Sequence, residues 1–326
     1  MAIDRRMLLT AGGLAALAAA PALAQTAAPA PARPPAAPPP PPPPADLVIP
    51  LWPGTPPGGA NHTPRATPGV TNRNIDVPTL NMYRPADPDG TAIIVCPGGG
   101  YVNLSLTNEG SNPARRFNAE RITVFVLIYR MPDEGWADQA NVPLADVQRA
   151  IRIVRSRAPE FKLDPARVGV LGFSAGGHLA GSLATCHAET TYAPVDAADS
   201  QSAKPAFACL IYPVVTMLEP FAYKPGIPRL LGPNPSEAAL KSRSNELRVT
   251  ADTAPCFLVH GMDDRTVPVE NSILMMQALR EHKIKCEAHL LQEGSHGFGM
   301  GAPGRGTEHW PDLFLRWMRR LQPAVA

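Results

Sequence analysis

Val168-Gly169-Val170-Leu171-Gly172-Phe173-Ser174-Ala175-Gly176-Gly177-His178 reads as a strand that turns sharply into a helix. At its centre is Gly-x-Ser-x-Gly, the arrangement that forces a serine oxygen out of a tight turn at the edge of a sheet. The two outer glycines suit that turn, because a Cβ at Gly172 or Gly176 would strike the adjoining strand or helix. An apolar strand before the serine and a helical pattern through His178, Leu179 and Ala180 supply the context the motif requires.

A strand-to-helix turn of this kind belongs to an α/β layout, and the chain around it has that rhythm. Strand-like runs fall at 80–84, 92–96, 122–129, 168–171, 207–215, 256–260 and 286–291, with helical patterns between them. Val147, Ala150, Ile151, Val154 and Ala158 form one apolar stripe, and Arg149, Arg152 and Arg155 are expected on a solvated face opposite it. Leu313, Trp317 and Leu321 mark a closing amphipathic helix with Arg316, Arg319 and Arg320 on its other side. Asn234-Pro235-Ser236-Glu237 reads as a helix start with Asn234 as the cap. Residues 216–254 are the one connection long enough to hold a small cap.

A serine hydroxyl needs a base, and the base needs an acid to fix its tautomer and stabilise its charged form. His296 is the expected base, lying between glycines in Gly294-Ser295-His296-Gly297-Phe298-Gly299 just after the last strand. Asp264 is the expected acid, in His260-Gly261-Met262-Asp263-Asp264-Arg265-Thr266-Val267-Pro268, with Asp263 the alternative. His178 and His260 read as structural. Oxyanion donors are expected from the amides of Gly98 and Gly99, after the strand at 92–96, and from Ala175. Tyr101, Asn103 and Leu104 follow that glycine loop and are candidates to border the substrate pocket. The chemistry is acyl transfer, requires no cofactor, and the sequence carries no motif with metal-ligand spacing.

At 326 residues with a net charge of +2, the chain can bury one large core and has no basic stripe, so nucleic acid is not an expected partner. Residues 1–24 read as an export signal: Arg5-Arg6-Met7-Leu8-Leu9, an apolar run and Ala22-Leu23-Ala24. The paired arginines resemble a twin-arginine signal, which carries a folded protein to the periplasm or outside the cell. The apolar run is short for a membrane span, and stable membrane insertion after cleavage is not expected. Residues 25–45 are an Ala/Pro-rich linker that includes prolines 38–44, and 46–326 form the catalytic domain. Five cysteines, an odd number, leave at least one free thiol.

Across 51–315 the chain resembles the α/β-hydrolase superfamily, and within it the acetylxylan-esterase-like group of esterases. Leu51-Trp52-Pro53-Gly54, Pro97-Gly98-Gly99-Gly100-Tyr101, Tyr129-Arg130, the elbow through His178, Asp264-Arg265-Thr266-Val267-Pro268 and His296-Gly297-Phe298 carry the likeness. Pro97 stands where the broader lipase pattern has His, which leaves the choice among Gly98, Gly99 and Gly100 open. The resemblance implies a mostly parallel eight-stranded sheet with helices on both faces and little or no cap. It also implies hydrolysis of short acyl esters, with acetylated saccharide such as acetylated xylan as the substrate. A serine exopeptidase of the same fold and a non-catalytic carbohydrate-binding module are the competing readings; Ala175 departs from the tyrosine common after the serine in such peptidases.

Overall fold

The five apolar runs that alternate with helical patterns become the fully buried centre of an eight-stranded sheet. The computed structural model describes residues 44–59 and 72–321; the expected export signal and nearly all of the expected linker lie outside them. The strands are β1 (Leu47–Pro50), β2 (Thr79–Tyr83), β3 (Ala92–Cys96), β4 (Thr123–Ile128), β5 (Val168–Phe173), β6 (Ala208–Ile211), β7 (Cys256–Gly261) and β8 (Cys286–Leu291). Their order across the sheet is β1-β2-β4-β3-β5-β6-β7-β8, antiparallel from β1 to β4 and parallel from β4 to β8. Every residue of β3 to β7 is buried, as expected for strands covered on both faces, whereas β1, β2 and β8 are partly exposed.

The helices are α1 (Asn112–Asn118), α2 (Val142–Ser156), α3 (Ala158–Phe161), α4 (Ser174–Cys186), α5 (Ile227–Leu231), α6 (Glu237–Ser242), α7 (Glu270–Glu281) and α8 (Trp310–Leu321). α2 packs on α4, and α4 packs on β5 and β6. α1 and α8 meet through an edge contact of Phe117 with Phe314, whose ring also touches Phe207 and Phe257 at the sheet. β3 leads leftward to β4 while β5 continues to the right, so the crevice outside their carboxyl ends is the switch point at which such sheets bind ligands.

Three expectations are corrected. The arginine face of α2 is covered rather than solvated: Arg149 is 2% exposed. It binds Asp196, Asp199 and the Leu51 carbonyl, while Arg152 reaches Tyr192 and Arg155 the Ser202 carbonyl. The segment after α4 therefore lies back over α2, a tertiary contact that helical periodicity does not encode. The α6 cap is Ser236, which accepts from the Ala239 amide, not Asn234. β6 stops at Ile211, short of the expected 215, where Tyr212 takes a φ of +36°. The connection 216–254 holds α5 and α6 and no larger cap.

The Arg130 guanidinium is fully buried between the rings of Trp52 and Trp136, at 5.7 and 4.7 Å from their centroids. It pairs with the equally buried Asp146 of α2 at 2.7 Å, and Asp146 also accepts Trp52 Nε1–H at 2.9 Å and the Arg130 amide at 2.9 Å. This cluster pins the 51–59 segment to the helix layer. Asp146→Ala leaves an uncompensated buried guanidinium and should cost about 3–5 kcal/mol, read as a lowered urea midpoint with an unchanged slope.

Candidate active site

The elbow is built by close approach. A Cβ on Gly172 would stand 2.0 Å from the Gly176 carbonyl oxygen, and one on Gly176 would stand 2.1 Å from the Cys96 carbonyl oxygen. Two missing side chains thus let β5, α4 and the end of β3 touch. Ser174, at the turn, has a φ of +52°, a conformation that costs a non-glycine residue about 1–3 kcal/mol and that the packing around it imposes.

Ser174 Oγ lies 2.8 Å from His296 Nε2, and His296 Nδ1 lies 2.7 Å from Asp264 Oδ2. An ionised Asp264 accepts the Nδ1 proton, which leaves Nε2 as the lone pair that receives the serine O–H. Burial alone would push the Asp264 carboxyl up; hydrogen bonds from His260, His296 and the Val267 amide hold it well below the usual carboxylate range. It therefore stays an anion wherever the site operates.

The two aspartates differ in their contacts, and Asp264 is the one that reaches His296. Asp263 does not reach His296; its Oδ1 accepts the Gly294 and Ser295 amides at 2.8 and 2.7 Å. It is the clamp of the histidine loop, in which Ser295 is held at a φ of +53°. His260, read as structural, sits fully buried with Nε2 at 3.0 Å from the Val267 carbonyl and 3.3 Å from Asp264.

The glycine loop turns through three residues of positive φ, Gly99 at +131°, Gly100 at +64° and Tyr101 at +60°. The Gly98 amide, an expected oxyanion donor, is corrected: it donates to Glu109 Oε2 at 2.8 Å and is not available to a substrate. The Gly99 amide donates to no acceptor among the described residues, and the Ala175 amide lies in the first turn of α4, where a helix offers no acceptor, so these two remain the candidate donors beside Ser174. Tyr101 and Leu104 are corrected too, since they are 3% and 2% exposed and belong to the core. Tyr101 gives its hydroxyl to His178 Nδ1 at 2.7 Å; of the three pocket candidates only Asn103 is exposed.

His178 explains why Tyr101 tolerates its strained backbone. Its Nε2 lies 2.8 Å from the Arg243 carbonyl, an acceptor only, so Nε2 carries the proton and Nδ1 accepts from Tyr101. This buried imidazole joins the oxyanion loop to α4 and to the connection before β7. Glu109 and Tyr212 are polar residues of the site that the sequence did not flag: nothing distinguishes a glutamate in a polar loop or a tyrosine closing an apolar strand until the fold brings them to Gly98 and His296.

Ser174, His296 and Asp264, joined in line by hydrogen bonds beside the Gly99 and Ala175 amides, meet at one strained turn of an α/β-hydrolase fold. A family model described as BD-FAE matches residues 80–279, and the chain belongs to that family. Acetylxylan esterase of Xylanibacter ruminicola is 34% identical over 67% of this chain and 43% of that protein. Endo-1,4-beta-xylanase B of Butyrivibrio fibrisolvens is 34% identical over 68% of this chain and 34% of that protein. The chain thus spans less than half the length of these two curated relatives. The crystal structure of an acetyl ester-xyloside bifunctional hydrolase from Caldicellulosiruptor lactoaceticus superposes with a TM-score of 0.74 at 34% identity, covering 85% of this chain and 97% of that one. The expected resemblance and fold class are both met.

Two tests follow from this geometry. Asp264→Asn should lower kcat about 10⁴-fold, whereas Asp263→Asn should lose about tenfold, the scale of one net hydrogen bond; steady-state kinetics in the reverse order would make Asp263 the acid. Burial, against the hydrogen bond to Arg243, brings the His178 imidazole from its ordinary 6.5 down to about 4. Between those values the unfolded chain binds a proton that the folded chain refuses, so stability falls as pH drops through that window, by at most about 1.4 kcal/mol per pH unit. His178→Gln should flatten that fall, measured as the change in urea midpoint between pH 7 and pH 5; equal slopes in parent and variant would contradict a neutral buried imidazole.

Proposed function

We propose that the chain is an exported serine esterase that hydrolyses short-chain acyl esters, with acetyl esters of carbohydrate such as acetylated xylan as its substrate. The observation that carries the reading is the unbroken chain from Ser174 through His296 to Asp264 beside the unpaired Gly99 and Ala175 amides. The sugar part rests on similarity to two relatives, one an acetylxylan esterase and one an acetyl ester-xyloside bifunctional hydrolase. Export to the periplasm or the medium by a twin-arginine-type route rests on residues 1–24, and none of the described helices is long and apolar enough to cross a membrane.

In this reading Ser174 Oγ attacks the ester carbonyl as His296 Nε2 takes its proton. The carbonyl oxygen becomes an anion held by the two amides. Collapse expels the sugar alkoxide, protonated by His296, and leaves Ser174 acylated. Water, deprotonated by the same His296, attacks the acyl carbon, and acetic acid leaves as Ser174 regains its proton. His296 ends each cycle as it began, so no cofactor or net proton is consumed.

The test is acetate release from acetylated xylan and from a chromogenic acetyl ester, run with the parent and with Ser174→Ala. Both substrates should turn over, and the variant should lose about 10⁶-fold. Cleavage of the chromogenic ester alone would keep the triad and overturn the polysaccharide substrate.

A further inference from the structure

Glu109 is 4% exposed and presents a carboxylate that the triad does not use. It lies in the wide helical turn Thr107–Ser111, immediately before α1. One oxygen accepts the Gly98 amide at 2.8 Å, and the other accepts the Tyr212 hydroxyl at 2.8 Å. The Tyr212 oxygen in turn accepts the Gly299 amide at 3.0 Å, three residues beyond His296. Tyr212 is fully buried at the end of β6, its ring in edge contact with His296 at 5.0 Å and with Phe298 at 4.5 Å. Trp310 Nε1–H donates to the Gly299 carbonyl, which closes the far end of the chain of bonds.

These bonds run across the nucleophile. A Cβ built on Gly98 would stand 2.8 Å from Glu109 Oε2 and 2.9 Å from Ser174 Cβ, so the carboxylate and the serine flank the same glycine. Glu109 holds the peptide before Gly98 by its N–H, and the Ser105 amide holds the peptide after it by the Gly98 carbonyl at 3.0 Å. In a trans peptide the N–H points opposite to the C=O, so fixing the Gly98 carbonyl fixes the direction of the Gly99 N–H. At the other end, Tyr212 fixes the loop that carries His296.

We propose that Glu109 and Tyr212 are positioning residues, a buried strap that holds the oxyanion loop and the histidine loop in one register about Ser174. The inference rests on the esterase reading above. Burial pushes the Glu109 carboxyl up, while its bonds from Tyr212 and Gly98 and the nearby His296 pull the other way. Burial and Glu109 together push the Tyr212 hydroxyl well up, which keeps it a donor to Glu109. An amide at position 109 has a single acceptor oxygen and so loses one of the two bonds. Phenylalanine at 212 frees both a carboxylate oxygen and the Gly299 amide.

The experiment compares Glu109→Gln, Tyr212→Phe and the double variant with the parent and Ser174→Ala on a chromogenic acetyl ester, with folding checked by urea midpoint. Each single variant should lose about 10- to 100-fold in kcat with KM within about threefold, because the donors and base act on the transition state rather than on bound ester. The double variant should lose little more than the worse single, as for residues that act as one unit. A folded variant with parental kcat, or one that changes KM alone, would overturn the strap. If Glu109→Gln does not fold, Tyr212→Phe decides by the same split. A parent without Ser174-dependent hydrolysis would contradict the esterase reading itself, whereas an active parent beside fully active variants contradicts the strap alone.

Discussion

Ser174 can occupy its turn only because Gly172 and Gly176 have no side chains, and that close approach sets the rest of the site. With α4 pressed against the Cys96 carbonyl, the glycine loop after β3 must start beside the nucleophile. The parallel register of β3, β5, β6 and β7 then brings four loops to one edge of the sheet. In turn they carry the Gly99 amide, Ser174, Tyr212 and Asp264. The strain at Ser174 is sustained by the packing of strands buried on both faces, so the cost of the site is borne by the core.

The loops at that edge are ordered by side chains that take no part in bond making. Asp263 holds the histidine loop by two amides, His178 holds Tyr101 of the oxyanion loop, and Glu109 with Tyr212 spans both. Each is a buried or clamped polar group with its hydrogen bonds met, which is what confines a loop to one geometry at modest net energy. Preorganised donors matter most in acyl transfer, where the amides must point at an oxygen whose charge appears only in the transition state. The same division recurs farther out, where Asp146 and Arg130 tie the 51–59 segment to α2.

Ser174, His296 and Asp264 were legible in the sequence because each lies in a short local pattern: a glycine-framed turn, a glycine-framed loop, and an acid after a strand. The central strands were legible as continuous apolar runs. What escaped was set by contacts between distant segments. Arg149 looked solvated because the Asp196–Asp199 segment that covers it is far along the chain. Gly98 looked like a donor because nothing local shows that Glu109 takes its amide. Tyr101 looked like a pocket wall because its partner His178 lies on another element. β1, a four-residue edge strand with one buried residue, gave too little pattern to read.

The central claim is that Ser174 is a nucleophile activated by His296. Intact-mass spectrometry after exposure to a fluorophosphonate, followed by peptide mapping, tests it without assuming any substrate. The account predicts a single adduct on Ser174, formed rapidly in the parent and lost in His296→Ala. No adduct, or one on another residue, would contradict it.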